Sequence, residues 1–364
     1  MHSEIDIKFM NLAFKEAEKA KGFVSPNPMV GAVIVKDERV IGRGFHSKSG
    51  MPHAEIEALK DCSEDTSGAT LYCNLEPCCH SNKQTPPCVP EVIKAGFKRV
   101  VICNVDPNPE VSGKGIKALR DSGIEVEVGV LEPEGEKLNE VFFHSILSDT
   151  PFIHLKAAQT LDGKIQSFTG DSKWISNESC RKRSHGLRLT YDAILIGRET
   201  LNNDNPSLNI RMGVDANGKI PFRVILGDPE KFNWDSYLFR EDIEKNIFIT
   251  TNKIDSLDSL KRKIIEKGQV IENHNLIKSL IELKKLGIQS VLIEGGSKVL
   301  SSFLKEGLFN KLTIFQAPKL LGNGEGIFKS TNNLISDSLN LKITNTEVIE
   351  GNLMIELRKQ CLQE

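Results

Sequence analysis

The spacing of one histidine and two cysteines constrains this chain more than any other feature. His53-Ala54-Glu55 is followed by Glu76-Pro77-Cys78-Cys79-His80 and then by Thr85-Pro86-Pro87-Cys88. A neutral imidazole and two thiolates give Zn2+ three ligands and leave a fourth position for water, whose pKa the metal lowers to about 7. Glu55, two residues beyond the histidine, is then placed to move protons without binding the metal. Residues 53–60 read as the first turns of a helix with Ile56, Ala58 and Leu59 facing a core. Residues 69–75 read as a buried strand ending at Glu76-Pro77. Residues 88–95 read as a second helix, stopped by Gly96. Two helix N-termini would point at one site, and their positive ends favour thiolates over thiols. The alternative is a structural zinc site with Cys79 or His80 as fourth ligand, which leaves Glu55 without a purpose.

A His-x-Glu element ahead of a Pro-Cys element is the arrangement of zinc deaminases, in which the glutamate is the general acid/base. The remainder of the composition is that of an ordinary soluble protein. The 364 residues suggest two domains. A net charge of −2, with 26% charged residues, gives no basic stripe for nucleic acid. The apolar runs are strand-sized, so no membrane span is expected. The acidic, polar N-terminus is unlike a signal peptide. Eight cysteines with no disulfide-like spacing point to a reducing cytoplasm.

Upstream, residues 4–21 carry Ile7, Met10, Phe14 and Ala17 at helical spacing, with Ser3 as cap and Gly22 as stop. Residues 29–35 and 40–42 read as a hairpin. Residues 99–103 and 124–130 read as strands, with a helix between at 115–122. A polar stretch around 132–140 precedes a boundary at 148, which gives domains of 1–148 and 149–364. In the second domain strands are expected at 152–156, 192–197, 222–226, 246–250, 290–293 and 311–315. Helices are expected from about 179, near 276–286 and near 297–306. Strands alternating with helices give an α/β class in both halves. The second half has no Gly-x-Gly-x-x-Gly after its first strand, which argues against a Rossmann domain. Residues 291–297 instead form a strand, the pair Gly295-Gly296 and a helix start, a place where backbone N–H groups can meet a phosphate. Gly322-Asn-Gly-Glu-Gly326 is a second, weaker glycine-rich turn.

These stretches together resemble the bifunctional riboflavin-biosynthesis deaminase–reductases. Residues 1–148 match the deaminase half at Pro26-Asn-Pro-Met-Val-Gly31, Gly44-Phe-His46, His53-Ala-Glu55, Leu75-Glu-Pro-Cys78, Thr85-Pro-Pro-Cys88 and Asp106-Pro-Asn-Pro109. The long loop between Cys78 and Cys88 differs from the Pro-Cys-x-x-Cys of cytidine and nucleic-acid deaminases. Residues 151–364 match the reductase half at Lys156-Ala-Ala-Gln-Thr-Leu-Asp-Gly163, Ser172-Lys-Trp-Ile175, Gly197-Arg-Glu-Thr200, Asp204-Asn-Pro-Ser-Leu208, Arg211 and Glu294-Gly-Gly296.

The resemblance implies a cytidine-deaminase-like three-layer domain followed by a dihydrofolate-reductase-like domain. It implies Zn2+ on His53, Cys78 and Cys88, with Glu55 as the catalytic residue. Asn27, His46, Lys83 and Asp106 would bind a pyrimidine ribose-phosphate substrate. Read from the residues alone, Asn27 and Asp106 are turn residues and His46 a surface histidine. In the reductase half Lys156 and Asp204 would flank the reacting carbon, and Arg188 and Arg211 would meet the phosphate. Ser172, Leu208 and Glu294 would complete the substrate site. Ala158, Trp174, Ser176, Thr200, Gly295 and Gly296 would hold NADPH. A homo-oligomer is also implied. In three places the chain departs from the family pattern. The Cys78–Cys88 loop is one residue longer, so Lys83 stands displaced from the expected basic residue. Thr160 stands where serine is commoner, and Gly227 where aspartate is. A nucleic-acid deaminase with an appended domain, or a zinc-stabilised scaffold, are the rival readings; the near-neutral charge opposes the first and the presence of Glu55 the second.

Overall fold

The computed structural model describes residues 2–80, 85–250, 264, 266–273, 275–329 and 334–360. The chain divides into two compact units, residues 1–148 and 149–364.

In the first unit a five-stranded sheet runs through β1 (Gly31–Lys36), β2 (Arg39–Phe45), β3 (Thr70–Leu75), β4 (Arg99–Asn104) and β5 (Glu125–Val128), in the order β2-β1-β3-β4-β5. The expected hairpin is β1–β2, antiparallel, and β3, β4 and β5 run parallel. Both faces of the sheet are covered. Ala54, Ala58, Val89, Val92, Ile116 and Leu119 pack on one side, and Phe9, Met10 and Ala13 on the other. The result is three layers.

The first helix, Glu4–Glu18, is capped by Ser3, whose hydroxyl accepts from the Asp6 N–H. Its buried face is rotated from the one the apolar spacing suggests. Ile7 is exposed, while Asp6 is buried and held by Arg99 and Tyr72. Ile56 likewise lies at the edge of its helix rather than in the core; Ala54, Glu55 and Ala58 are the buried positions. That helix, Ala54–Lys60, lies directly on β2, because a Cβ on Gly44 would come within 2.3 Å of the Ala54 carbonyl and 2.2 Å of the Ala58 nitrogen. Glycine at this position therefore sets how closely the helix carrying Glu55 approaches the sheet. The polar stretch expected near the boundary folds as two helices, Glu132–Leu138 and Glu140–Leu147. Between them Asn139 is buried and bonds both the N–H and the carbonyl of Met29, so the stretch belongs to this unit.

The second unit is built on β6 (Phe152–Thr160), β7 (Lys164–Ser167), β8 (Ala193–Gly197), β9 (Phe222–Leu226), β10 (Asn246–Thr250), β11 (Gln269–Glu272), β12 (Ser290–Gly295), β13 (Lys311–Ala317), β14 (Gly324–Gly326), β15 (Leu341–Ile349) and β16 (Asn352–Lys359). Nine of these form one sheet in the order β11-β10-β9-β8-β12-β6-β13-β16-β15, while β7 and β14 pair separately. All neighbours are parallel up to β13; β16 and β15 are antiparallel. Alternate residues of β8 serve opposite cores, Ala193 and Leu195 one, Ile194 and Ile196 the other. A continuously apolar strand is thus buried on both faces. The residues after β8 form a helix, Arg198–Asp204, and this helix, β7, β11, β14 and the β15–β16 hairpin are not among the elements expected from the sequence. Among the described residues no helix is long and apolar enough to cross a membrane.

Candidate active sites

In the first unit β3 delivers Cys78 just beyond its carboxyl end, and two short helices deliver the other ligands. His53 is the N-cap of Ala54–Lys60, and Cys88 is the first residue of Cys88–Lys94. The Cys88 N–H donates to Cys78 Sγ at 3.3 Å, and Cys88 and Val89 both donate to the Cys78 carbonyl. His53 Nδ1 lies 3.4 Å from each of the two sulfurs, and all three ligand atoms lie within 4.8 Å of one another. Tetrahedral zinc with ordinary Zn–N and Zn–S bonds puts N and S about 3.5 Å apart, so this donor set fits the metal. His53 Nε2 is 3.0 Å from Thr85 Oγ1. With Nδ1 facing the sulfurs, Nε2 carries the proton and donates to the threonine hydroxyl. No role for Thr85 was read from the sequence.

Glu55 is buried beside these ligands, and its Oε2 has no hydrogen-bond partner among the described residues. Burial, and next the charge of Cys78, push its carboxyl above the ordinary carboxylate range, with His53 opposing. Such an orphaned buried oxygen is costly unless a ligand or water completes it.

His46 packs edge-on against His53, ring centroids 5.2 Å apart. Its Nδ1 donates to the Pro52 carbonyl, which leaves Nε2 to accept from Asn27 Nδ2 at 2.9 Å. The structure thus brings Asn27 and His46 together at the rim of the ligand cluster. Asn74 steadies the segment after Asn27 through the Gly31 N–H and the Met29 carbonyl. Asp106 sits just past β4; its N–H donates to Glu76 and its carboxylate accepts from the Asn108 N–H. The buried Glu76 carboxylate also accepts from Gly113 and Ile116, so one side chain ties the Asp106 loop to the segment bearing Cys78. Lys83 lies outside the described residues.

In the second unit Lys156 and Ala158 lie on β6, Glu294 and Gly295 close β12, and Thr200 follows β8, three strands that are adjacent and parallel. Arg188 and Glu294 form two parallel hydrogen bonds, Nε to Oε1 at 2.6 Å and the second nitrogen to Oε2 at 2.9 Å. The remaining guanidinium nitrogen donates to the Asn209 carbonyl. This arginine, expected at the phosphate, is therefore engaged on all three nitrogens. Lys156 belongs to the same electrostatic group. Burial lowers its pKa, opposed by Glu294 and reinforced by Arg188.

The loop carrying Leu208 and Arg211 is pinned to helix Glu178–Thr190. Leu208 is buried, the Arg211 N–H donates to His185 Nδ1 at 3.2 Å, and the Arg211 guanidinium donates to Ser207. His185 is a further residue the sequence did not flag. Asp204 ends its helix partly buried, and burial raises its carboxyl against the opposing charge of Lys173. Thr200 Oγ1 accepts from the Gly296 N–H at 2.9 Å, which joins helix Arg198–Asp204 to the glycine pair at the end of β12. Ala158 lies on β6 beside Cys180 and Phe315. Ser172, Trp174 and Ser176 lie on the segment before helix Glu178–Thr190. There the Arg181 guanidinium stacks on the Trp174 ring and donates to the Ser176 carbonyl, and Lys319 donates to the Trp174 carbonyl.

Comparison with known proteins finds one family model in each unit. Residues 3–104 match the cytidine and deoxycytidylate deaminase zinc-binding region, and residues 151–355 match the RibD C-terminal domain. The chain is 42% identical to the riboflavin biosynthesis protein RibD of Aquifex aeolicus, over 99% of its own length and 100% of the relative's. It is 33% identical to the protein of the same name from Escherichia coli, covering 87% and 89%. Its fold is similar to Acinetobacter baumannii RibD, with a TM-score of 0.89 at 34% identity over 98% of this chain and 99% of the other. It is also similar to a diaminohydroxyphosphoribosylaminopyrimidine deaminase/5-amino-6-(5-phosphoribosylamino)uracil reductase from Thermotoga maritima, with a TM-score of 0.88 at 38% identity, covering 98% and 99%.

Proposed function

The chain belongs to the RibD family, bifunctional deaminase–reductases of riboflavin biosynthesis, and from that premise we propose which substrates and residues each half uses. The cytidine-deaminase-like unit is a zinc-binding hydrolase and the dihydrofolate-reductase-like unit an oxidoreductase. The first unit hydrolyses the amino group of 2,5-diamino-6-(5-phosphoribosylamino)pyrimidin-4-one, consuming water and releasing ammonia. The second reduces the ribosyl side chain of that product to ribityl with NADPH.

The observation that carries this reading is the pairing of a three-ligand cluster with the buried Glu55, whose Oε2 has no hydrogen-bond partner among the described residues. Zinc on His53, Cys78 and Cys88 supplies a water that ionises near neutral pH. Glu55 takes the proton from the attacking water and passes it to the departing nitrogen. Its raised pKa suits a group that must both accept and return a proton. Asn27, His46 and Asp106 orient the pyrimidine and its ribose phosphate.

In the reductase half NADPH supplies the hydride, and the chain supplies placement. Gly295, Gly296 and Thr200 hold its phosphate-bearing portion, with Ala158, Trp174 and Ser176 along its length. Lys156 and Asp204 flank the reacting carbon, and Ser172, Leu208 and Arg211 hold the sugar phosphate end. Arg188 acts through Glu294, which it keeps ionised and fixed in direction. We further propose that the enzyme is a cytoplasmic homo-oligomer, the location resting on there being no disulfide among its seven described cysteines.

Metal analysis of the purified chain, paired with NADPH oxidation in the presence of the diaminopyrimidine, tests the scheme. Zinc near one equivalent per chain is expected, with oxidation that disappears in Glu55→Gln and returns when the deaminated intermediate is supplied. A zinc-free chain that oxidises no NADPH even with the intermediate would overturn it.

A further inference from the structure

Two hydroxyls flank the glycine pair at the end of β12, and they differ in what they can offer a ligand. Thr200 Oγ1 accepts from the Gly296 N–H, and its own proton has no acceptor among the described residues. Ser297, the first residue of helix Ser297–Lys305, is buried and donates to Glu325 Oε2 at 2.7 Å. Gly296 is the N-cap of this helix and no side chain caps it, so its first N–H groups are left for an anion. A Cβ on Gly296 would come within 3.3 Å of Thr200 Oγ1, so a larger residue would crowd the open hydroxyl. The start of the helix thus fits a phosphate, and a carboxylate of the chain itself already holds one of its donors.

Glu325 belongs to the second glycine-rich turn, and that turn is held on both sides. Before it, the Leu321 and Gly322 N–H groups donate to the Asp162 carboxylate at 3.1 and 2.7 Å. Glu325 itself lies on β14, opposite Gln166 of β7. After it, the Lys329 N–H donates at 2.7 Å to Ser301 Oγ, one helical turn beyond Ser297. The carboxylate is therefore set against the helix start by its backbone. Its second partner is Lys329, whose Nζ lies 2.8 Å from Oε1, while Lys298 pairs with Glu199. Lys329 first, and then the Ser297 hydroxyl, hold the Glu325 carboxyl below the ordinary range, so it is ionised at neutral pH. The positive end of a helix favours such a group, and it favours a phosphate for the same reason.

We propose that Glu325 limits the affinity of the reductase half for its nucleotide: its carboxylate stands in for a cofactor phosphate at the Ser297 hydroxyl, and binding hands that hydroxyl to the phosphate. This deepens the reading of Gly295, Gly296 and Thr200 as the holders of the phosphate-bearing portion of NADPH, and rests on it. A serine hydroxyl has one proton to give, so it cannot serve Glu325 and a phosphate oxygen together. On release Glu325 keeps Lys329, so the exchange strands no charge. Binding nevertheless loses a hydrogen bond to an ionised acceptor and brings two anions close, and both effects weaken it.

Calorimetric titration of the full-length chain with NADPH and with NADP+, for the parent, E325Q, S297A and S297A/E325Q, tests this. Glu325→Gln removes the charge and keeps the shape, and it lowers the Kd of both nucleotides about tenfold. The two shifts are equal, because both nucleotides carry the same phosphates. Ser297→Ala alone moves the Kd by no more than about twofold, since it deletes one bond that binding breaks and one that binding forms. In the S297A background Glu325→Gln gains no more than about twofold, because the hydroxyl that couples the two sites is gone. Circular dichroism and melting temperature close to the parent's show that each variant is folded. An E325Q chain that binds NADPH no more tightly than the parent overturns the role of Glu325. A gain that survives undiminished in S297A/E325Q overturns the transfer of the hydroxyl. A parent that takes up neither nucleotide overturns the cofactor reading itself, and the inference with it.

Discussion

Arg188 grips Glu294 through two parallel hydrogen bonds, both side chains about nine-tenths buried, and Lys156 shares their field. Two positive groups around one carboxylate make a site whose net charge and direction depend on that fork. Arg188→Ala leaves Glu294 buried without its partner, and breaking such a pair costs about 3 kcal/mol or more. Urea denaturation should show that loss. Arg188→Lys keeps a charge but not the fork, so it should leave the reductase folded and lower its turnover at least about tenfold. Deamination by the same preparation should be unchanged, since His53, Cys78, Cys88 and Glu55 all lie in the first unit.

The same pair predicts an acid limit. Burial pushes the Glu294 carboxyl up, but the Arg188 guanidinium outweighs it and holds the pKa at about 2. The folded value lies below the unfolded one, so this stability is fully present above about pH 4.5 and is lost as pH falls toward 2. Glu294→Gln should therefore flatten the stability profile between about pH 4.5 and pH 2 relative to the parent. Denaturant midpoints across that range check it, and parallel profiles for the two proteins would contradict it.

The parts of this molecule that were legible in the sequence are those whose cause is local. His53, Glu55, Cys78 and Cys88 announce themselves because metal chemistry fixes residue type and a helix start fixes spacing. Six of the seven described parallel strands of the second unit were legible because strands buried on both faces are continuously apolar, and β11, largely exposed, was not. Asp6 shows where this fails. Ile7 has the right polarity for the core, yet Asp6 is the buried residue because Arg99, 93 positions away, supplies its counter-charge. Arg188 reads as a phosphate ligand from the sequence, which gives no sign of its pairing with Glu294, 106 positions along the chain. The helices around Asn139 were hidden for a related reason. Their composition is polar, and Asn139 earns its burial only by bonding Met29, far away in sequence.

His185 yields a prediction that sequence reasoning did not reach. Burial first, and then the charges of Arg188 and Arg211, lower its pKa to about 4, with Glu294 opposing. Its neutral Nδ1 is the acceptor for the Arg211 N–H. Protonation would remove that acceptor, so the stability this histidine contributes is present above about pH 6.5 and is lost as pH falls through about 4. Asparagine offers an oxygen near the position of Nδ1, whereas leucine offers none. His185→Asn should keep the KM for the phosphorylated intermediate within about twofold, and His185→Leu should raise it about tenfold with kcat little changed, the energy of one buried hydrogen bond. Equal effects from the two substitutions would show that the ring fills space and does not position the loop.

Thr85 tests the metal site from outside the ligand set. Its hydroxyl lies 3.0 Å from His53 Nε2, while His53 Nδ1 faces the two sulfurs. The hydroxyl holds the ring in the tautomer that leaves Nδ1 free to bind metal, and removing such a partner typically weakens zinc binding about 10- to 100-fold. Thr85→Val keeps the shape and deletes the acceptor, whereas Thr85→Ser keeps the acceptor and deletes a methyl group. Competition with a zinc chelator should show Thr85→Val losing metal at chelator concentrations that the parent and Thr85→Ser withstand. Deamination should fall with zinc occupancy and recover when zinc is supplied in excess, while reduction of the deaminated intermediate stays at the parent level throughout. If Thr85→Val binds zinc as tightly as the parent, the contact does not set the histidine's tautomer, and the helix N-cap geometry at His53 must orient the ring unaided.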